Sequence, residues 1–236
     1  MELRRFYVNA EDITGDAVVV TGTEYRHMTQ VLRFKVGYLA VICDNTGMDY
    51  ICEVVGIDKQ CVSLRITDKL VNQSELGYPL TLCMGLIKPE KMTIAVQKAV
   101  ELGVTRICPF RSTHTSETNC NIARLQTIVR EACKQCGRAI MPEIAPLVDF
   151  AALDWGENDC YIAYEHERGQ MLRDAIIRPN KGICVIIGSE GGLTREVVER
   201  AVSLGAKPVS LGKRILRAET AAIVALGAIC QLTEEL

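Results

Sequence analysis

The sequence predicts an α/β protein in two parts, a small β-barrel followed by a parallel sheet with helices on both faces. Three observations carry this. Up to about Val71 the chain is a series of short alternating or β-branched runs, the pattern of a small barrel. Beyond Pro79 strand and helix patterns alternate, which calls for crossover connections and hence a parallel sheet. Between the two lies Asn72-Gln73-Ser74-Glu75-Leu76-Gly77, a polar stretch without periodicity that reads as a linker. The expected domains are 1–72 and 73–236.

In the first part a helix is expected from Glu24 to Arg33, then strands at Leu39 to Cys43, Tyr50 to Ile57 and Cys61 to Ile66, punctuated by Asp44-Asn45-Thr46-Gly47 and Asp58-Lys59. In the second part Leu80 to Ile87 is an apolar strand. Pro89 then opens a helix, because its fixed φ and missing N–H suit the first helical position; Met92, Val96, Ala99 and Val100 recur at helical spacing until Gly103. Val104 to Phe110 is a strand, Ile122 to Arg138 a helix, Tyr161 to Tyr164 a strand, Met171 to Ile177 a short helix and Ile183 to Ile187 a strand. Thr194 is placed to cap a helix that ends before Gly205, Pro208 to Leu211 is a strand, and Ala218 to Leu232 is a strongly apolar helix. That last helix is apolar over more than one face, which suits a core or a subunit interface.

Composition narrows the class. The 236 residues are 48% hydrophobic, enough for buried cores, and no apolar run is long enough to cross a bilayer. No apolar stretch follows Arg4 and Arg5, so an untargeted, soluble, cytoplasmic protein is expected. The 11 cysteines are an odd number scattered singly, the usage of reduced core thiols. Cys133 and Cys136 form the one close pair, and with His27, His114 and His166 the only histidines, no metal site is expected. A formal net charge of -2 gives no global attraction to nucleic acid, so any such binding needs a local basic face.

Parallel sheets bind ligands at the carboxyl ends of their strands, and two of the turns expected there are unusual. Ile183 to Ile187 runs into Gly188-Ser189-Glu190-Gly191-Gly192, whose glycines let the backbone turn sharply and approach a ligand. The spacing fits neither the dinucleotide nor the phosphate-loop pattern, and Glu190 would repel a phosphate; a cationic ligand fits better. Leu211 runs into Gly212-Lys213-Arg214-Ile215-Leu216-Arg217-Ala218-Glu219-Thr220. Each turn alone is equally readable as a tight strand-to-helix connection or a solvated helix start with an ion pair.

Together the two segments resemble the C-terminal motifs of SPOUT methyltransferases, and among these the family that methylates N3 of a uridine in small-subunit (16S) ribosomal RNA. The resemblance extends to Arg4-Arg5-Phe6-Tyr7, His27 with Val31-Leu32-Arg33, Glu90-Lys91-Met92, Gln97-Lys98, Glu101-Leu102-Gly103 and Glu131 to Arg138, in order along nearly the whole chain. Ser189 departs from the family's usual proline, without removing a ligand group. The resemblance implies a PUA-like, RNA-binding barrel at 1–72 and an S-adenosyl-L-methionine-dependent α/β-knot domain at 73–236, with a deep trefoil knot that chain physics alone would disfavour.

For the cofactor the resemblance nominates Tyr164, Glu165, Ile187, Gly188, Ser189, Glu190, Gly191, Gly192, Leu211, Gly212, Ile215, Leu216 and Ala221. For catalysis Arg217 is expected to stabilise the uracil anion, since a guanidinium stays charged and presents a fork of donors. Glu219 is expected to orient Arg217 or to take the N3 proton, and Glu190 is the other candidate carboxylate. For RNA contact Arg4, Arg5, Arg26, Arg33 and Lys35 on the barrel, with Lys88, Lys91 and Arg138 on the catalytic part, are candidates. The expected partners are 16S ribosomal RNA or the small ribosomal subunit and a second copy of the chain, with no membrane and no metal. Competing readings are methylation of another RNA position, a non-catalytic RNA-binding assembly protein, and a nucleotide-binding enzyme.

Overall fold

The computed structural model describes residues 3–113, 117, 119–176, 179 and 181–235. The chain divides into two compact units, Met1–Glu75 with Cys133–Met141, and Leu76–Ala132 with Pro142–Leu236.

Unit 1 is built on a six-stranded sheet. Its strands are β1 (Arg4–Tyr7), β2 (Ile13–Thr14), β3 (Ala17–Val20), β4 (Leu39–Cys43), β5 (Met48–Ile57) and β6 (Val62–Val71), in the order β1-β4-β5-β6-β3-β2. β1 pairs parallel with β4, and the other neighbours are antiparallel. Because side chains alternate along a strand, Val18 and Val20, Ala40 and Ile42, Cys52 and Val54, and Val62 and Leu64 fall on one face, where they form a core with Phe6 and Met28. β6 outruns its expected end at Ile66, since pairing with Met48–Ile51 extends the ladder through residues whose side chains are exposed. The expected Glu24 to Arg33 helix is a short α1 (Gly22–Arg26) and a π-helical turn, His27–Val31, with Arg33 following at φ 54.

Buried charge ties Cys133–Met141 into this unit. The Arg138 side chain is 2% exposed and its Nη2 lies 2.7 Å from Glu75 Oε2. The second Glu75 oxygen accepts from the backbone N–H groups of Ala139 and Ile140, at 3.1 and 3.0 Å. Tyr7 donates its hydroxyl to the Arg138 carbonyl at 2.6 Å. Nearby Arg5 pairs with Asp49, which also accepts from Asn72 at 2.9 Å. Burial opposes the Asp49 charge, but the hydrogen bonds from Arg5 and Asn72 hold the carboxyl below its usual range.

Unit 2 is a parallel sheet of β7 (Leu80–Gly85), β8 (Arg106–Arg111), β9 (Glu143–Ile144), β10 (Val148–Asp149), β11 (Asp159–Ala163), β12 (Ile183–Ile187) and β13 (Lys207–Val209). The order is β10-β8-β7-β12-β11-β13, with β9 beside β8. β7 and β12 are central and buried at every residue, which is why they read as continuous apolar runs. The helices are α2 (Pro89–Glu101), α3 (Ile122–Cys136), α4 (Leu172–Ala175), α5 (Arg195–Ser203) and α6 (Ala218–Leu232). α6 packs on α2 and β12. Thr194 caps α5 by accepting the Val197 N–H at 3.3 Å. α3 stops two residues before the expected Arg138, because Gly137 adopts φ 83 and its N–H bonds back to Cys133. His114, and Ile177 at the expected end of α4, lie outside the described residues.

A row of thiols crosses this sheet. Cys108 is in register with Cys83 and Cys160 with Cys184, and the Cys83 and Cys184 sulfurs are 3.5 Å apart. All four belong to a core with Phe110, Phe150 and Trp155, and the protein's cysteines are free thiols.

Candidate cofactor and active site

At the carboxyl edge of the unit 2 sheet, the segments leaving β11, β12 and β13 enclose a cavity of about 450 Å³. The β12 segment forms its tightest wall. Gly192 donates its N–H to the Ser189 carbonyl at 3.0 Å, closing a turn with Glu190 and Gly191 at its apex, and does so at φ 73, where L side chains are strained. The end of β7 presses on this turn. A Cβ on Gly85 would lie 2.5 Å from the Ser189 nitrogen and 2.8 Å from the Gly188 carbonyl carbon, so the crossing requires glycine.

The wall after β13 is fixed at both ends. Ser210 donates its N–H to Gln170 at 2.8 Å, and its hydroxyl accepts from the Gly212 N–H at 3.3 Å. At the other end the Ala221 N–H bonds the Arg217 carbonyl at 2.8 Å, starting α6. The wall after β11 is a folded turn. Glu167 accepts from the N–H groups of Gly169 and Gln170 at 2.6 and 3.0 Å, which hold its carboxyl below the usual range. Arg168 donates to the Glu165 carbonyl at 2.6 Å.

All thirteen residues nominated for the cofactor line this one cavity: Tyr164, Glu165, Ile187, Gly188, Ser189, Glu190, Gly191, Gly192, Leu211, Gly212, Ile215, Leu216 and Ala221. Arg217 lines it too, and no partner for its guanidinium occurs among the described residues. Glu219 does not line the cavity; its Oε2 is buried and lacks a hydrogen-bond partner among the described residues. No hydrogen bond or ion pair joins Arg217 to Glu219 among the described residues. Ile215, although on the wall, remains 84% exposed.

The RNA-contact nominations divide. Arg4, Arg26, Arg33, Lys35 and Lys88 are exposed. Arg5 and Arg138 are corrected: Arg138 is buried and Arg5 half-buried, and each is engaged in an ion pair inside unit 1, so neither offers a free charge to a polyanion. Lys91 lines the cavity and pairs with Glu190 there. Sequence reasoning gave no role to Arg168, Lys213 and Arg214, which also line the cavity; the last two sat in the quoted motif, whereas Arg168 carried no signal. His166 sits edge-on to Tyr164 with ring centroids 5.2 Å apart, and His27 is held against Phe6 and Lys134.

The donor set suits S-adenosyl-L-methionine. Glu165 offers negative charge toward a sulfonium and Arg168 positive charge toward a carboxylate, while Lys91 and Glu190 pair with each other on the wall and the glycine turns open backbone groups to the ligand.

Comparison with known proteins agrees. The sequence profile described as RNA methyltransferase domain matches residues 74–230, and that described as RNA methyltransferase PUA domain matches residues 20–67. Fold and site thus define an RNA methyltransferase with an N-terminal PUA unit. Ribosomal RNA small subunit methyltransferase E of Buchnera aphidicola is 30% identical to this chain, over 97% of it and 93% of the relative. The protein of that name from Rickettsia conorii is 31% identical, over 97% and 96%. A crystal structure of ribosomal RNA small subunit methyltransferase E from Neisseria gonorrhoeae, bound to S-adenosyl methionine, superposes with a TM-score of 0.87 at 31% identity, covering 98% of both chains. The chain belongs to the ribosomal RNA small subunit methyltransferase E family.

Proposed function

We propose that this protein transfers the methyl group of S-adenosyl-L-methionine to N3 of a uridine in 16S ribosomal RNA. The observation that carries the reading is the convergence of the turns after β11, β12 and β13 on one cavity, in a family with a member solved with that cofactor. The cofactor supplies an electrophilic methyl group on a sulfonium. The protein's own task is to align the acceptor and keep the site dry.

Uridine N3 carries a proton and is a poor nucleophile until it leaves. Arg217 answers the charge that develops on the base, because its guanidinium, without an ion pair among the described residues, stands at the cavity wall, stays ionised and offers a fork of N–H donors to a uracil carbonyl. Two carboxylates compete for the proton. Glu190 lines the cavity but is engaged by Lys91, whereas Glu219 does not line it but has a buried oxygen without a hydrogen-bond partner among the described residues. Tyr164, Glu165, Gly188, Gly191, Gly192, Leu211, Gly212, Leu216 and Ala221 hold the cofactor, largely through backbone groups.

Unit 1 is the RNA-holding unit in this reading, through Arg4, Arg26, Arg33 and Lys35, with Lys88 on unit 2. The π-helical turn and the left-handed Arg33 support it, because such backbone costs energy and gathers at functional segments. A homodimer is supported by Ile94, Val224 and Leu232, large apolar side chains exposed on α2 and α6. Among the described residues no helix is long and apolar enough to cross a membrane.

The test is transfer of labelled methyl from S-adenosyl-L-methionine into small-subunit particles and naked 16S RNA from a strain lacking this gene, with the product nucleoside identified by mass spectrometry. 3-Methyluridine is expected. Label in another nucleoside, or none with the cofactor bound, overturns the reading.

A further inference from the structure

Ile215 is the most exposed large apolar side chain among the described residues, at 84%. Its two preceding neighbours, Lys213 and Arg214, are exposed and have no ion pair among the described residues. All three stand on the cavity wall, on a turn pinned at one end by Ser210 and Gln170 and at the other by the start of α6. Gly212, at φ 129, bends the chain out of β13 in a conformation that L residues rarely adopt.

An exposed apolar side chain beside two exposed cations fits a partner that is both polyanionic and rich in flat apolar faces. That partner is an RNA strand, with phosphates for the cations and base faces for the isoleucine. The chemistry gives this turn a task. N3 lies on the pairing edge of uracil, so the target must leave its stack before it can enter the cavity, and the vacated gap costs stacking energy. Apolar side chains offset such losses when they insert between base steps.

Resting on the RNA methyltransferase reading above, we propose that Lys213, Arg214 and Ile215 form the edge of the cavity that engages RNA. Lys213 and Arg214 hold phosphates flanking the target, and Ile215 occupies the space the extruded uridine leaves. Ile215 then belongs to substrate handling rather than to the cofactor wall.

The full-length protein and a 16S RNA transcript test this, with cofactor affinity by calorimetry, RNA affinity by filter binding across a salt series, single-turnover methyl transfer, and mass by light scattering. For K213A/R214A the slope of log affinity against log salt is expected to fall by about 1.4, roughly 0.7 per lost single-strand phosphate contact, with cofactor affinity unchanged. For I215A the single-turnover rate is expected to fall about tenfold while both affinities stay within about twofold, and I215F is expected to restore it, as an apolar wedge would. With 2-aminopurine beside the methylated uridine, I215A is expected to lose the fluorescence rise that reports unstacking. An unchanged salt slope overturns the phosphate assignment. Weakened cofactor binding in I215A returns Ile215 to the cofactor wall, and a fall in mass makes it a subunit contact; either overturns the wedge. Wild-type protein that binds RNA with the normal salt slope but transfers no methyl sinks the enzymatic reading instead, leaving the RNA edge standing.

Discussion

Arg138 in unit 1 and the Gly212–Arg217 turn in unit 2 both come from basic, motif-like stretches, yet the fold puts them to opposite uses. Arg138 is 2% exposed and paired with Glu75, whereas Lys213, Arg214 and Arg217 sit on a cavity wall without ion pairs among the described residues. A buried arginine needs its acid, and breaking such a pair leaves a bare charge in a poorly solvated place. A cation at a cavity wall keeps its charge available for a ligand. The residue type alone does not distinguish the two uses; the presence of Glu75 does.

Perturbing each region sharpens the contrast. The largest effect is expected for Arg217→Ala, with methyl transfer reduced about 100- to 1,000-fold, the usual consequence of removing one donor to a developing anion, and calorimetric cofactor affinity retained. Full single-turnover activity in that variant removes Arg217 from the chemistry. Glu190→Gln and Glu219→Gln assign the proton: the true acceptor's variant loses about 100-fold in rate, with the acid limb of the pH profile altered, while the other stays near wild type.

In unit 1 the effect should fall on folding. Arg138→Ala strands Glu75 and is expected to cost about 3–5 kcal/mol in denaturant unfolding of this unit, with the turnover of folded molecules little changed. A loss of activity greater than the loss of folded protein would break the comparison. Asp49→Asn weakens a less buried network and should cost about 2 kcal/mol at neutral pH. The sign with pH follows from its lowered value: the stabilisation is fully present above the ordinary 3.8 and drains as pH falls through the folded-state value, so the wild type and Asp49→Asn converge in acid. The smallest change is Thr194→Ala, about 1 kcal/mol from loss of the α5 cap, seen as a modest drop in Tm.

Sequence legibility followed the same division. β4, β12 and α6 were readable to the residue, because their burial makes each an unbroken or nearly unbroken apolar run with clear ends. β9 and β10 were not, being two residues each and too short for a period. The attachment of Cys133–Met141 to unit 1 left no trace either, since it depends on Glu75 accepting from Arg138, Ala139 and Ile140 across more than sixty residues. In the cavity, the turns from Gly188 and Gly212 announced themselves through glycine and charge. The need for glycine at Gly85 is invisible until another backbone is seen crossing it.

The four thiols strung across β8, β7, β12 and β11 give unit 2 a built-in clock. Hydrogen bonding to Cys160 and Cys83, with burial, pushes the Cys184 thiol well above its ordinary range, so in the folded sheet it is neither reachable nor nucleophilic. Iodoacetamide then marks it only when the strands part. Site-resolved alkylation of Cys83 and Cys184, followed by mass spectrometry, counts those openings one by one, and a bound ligand that braces the sheet slows the count.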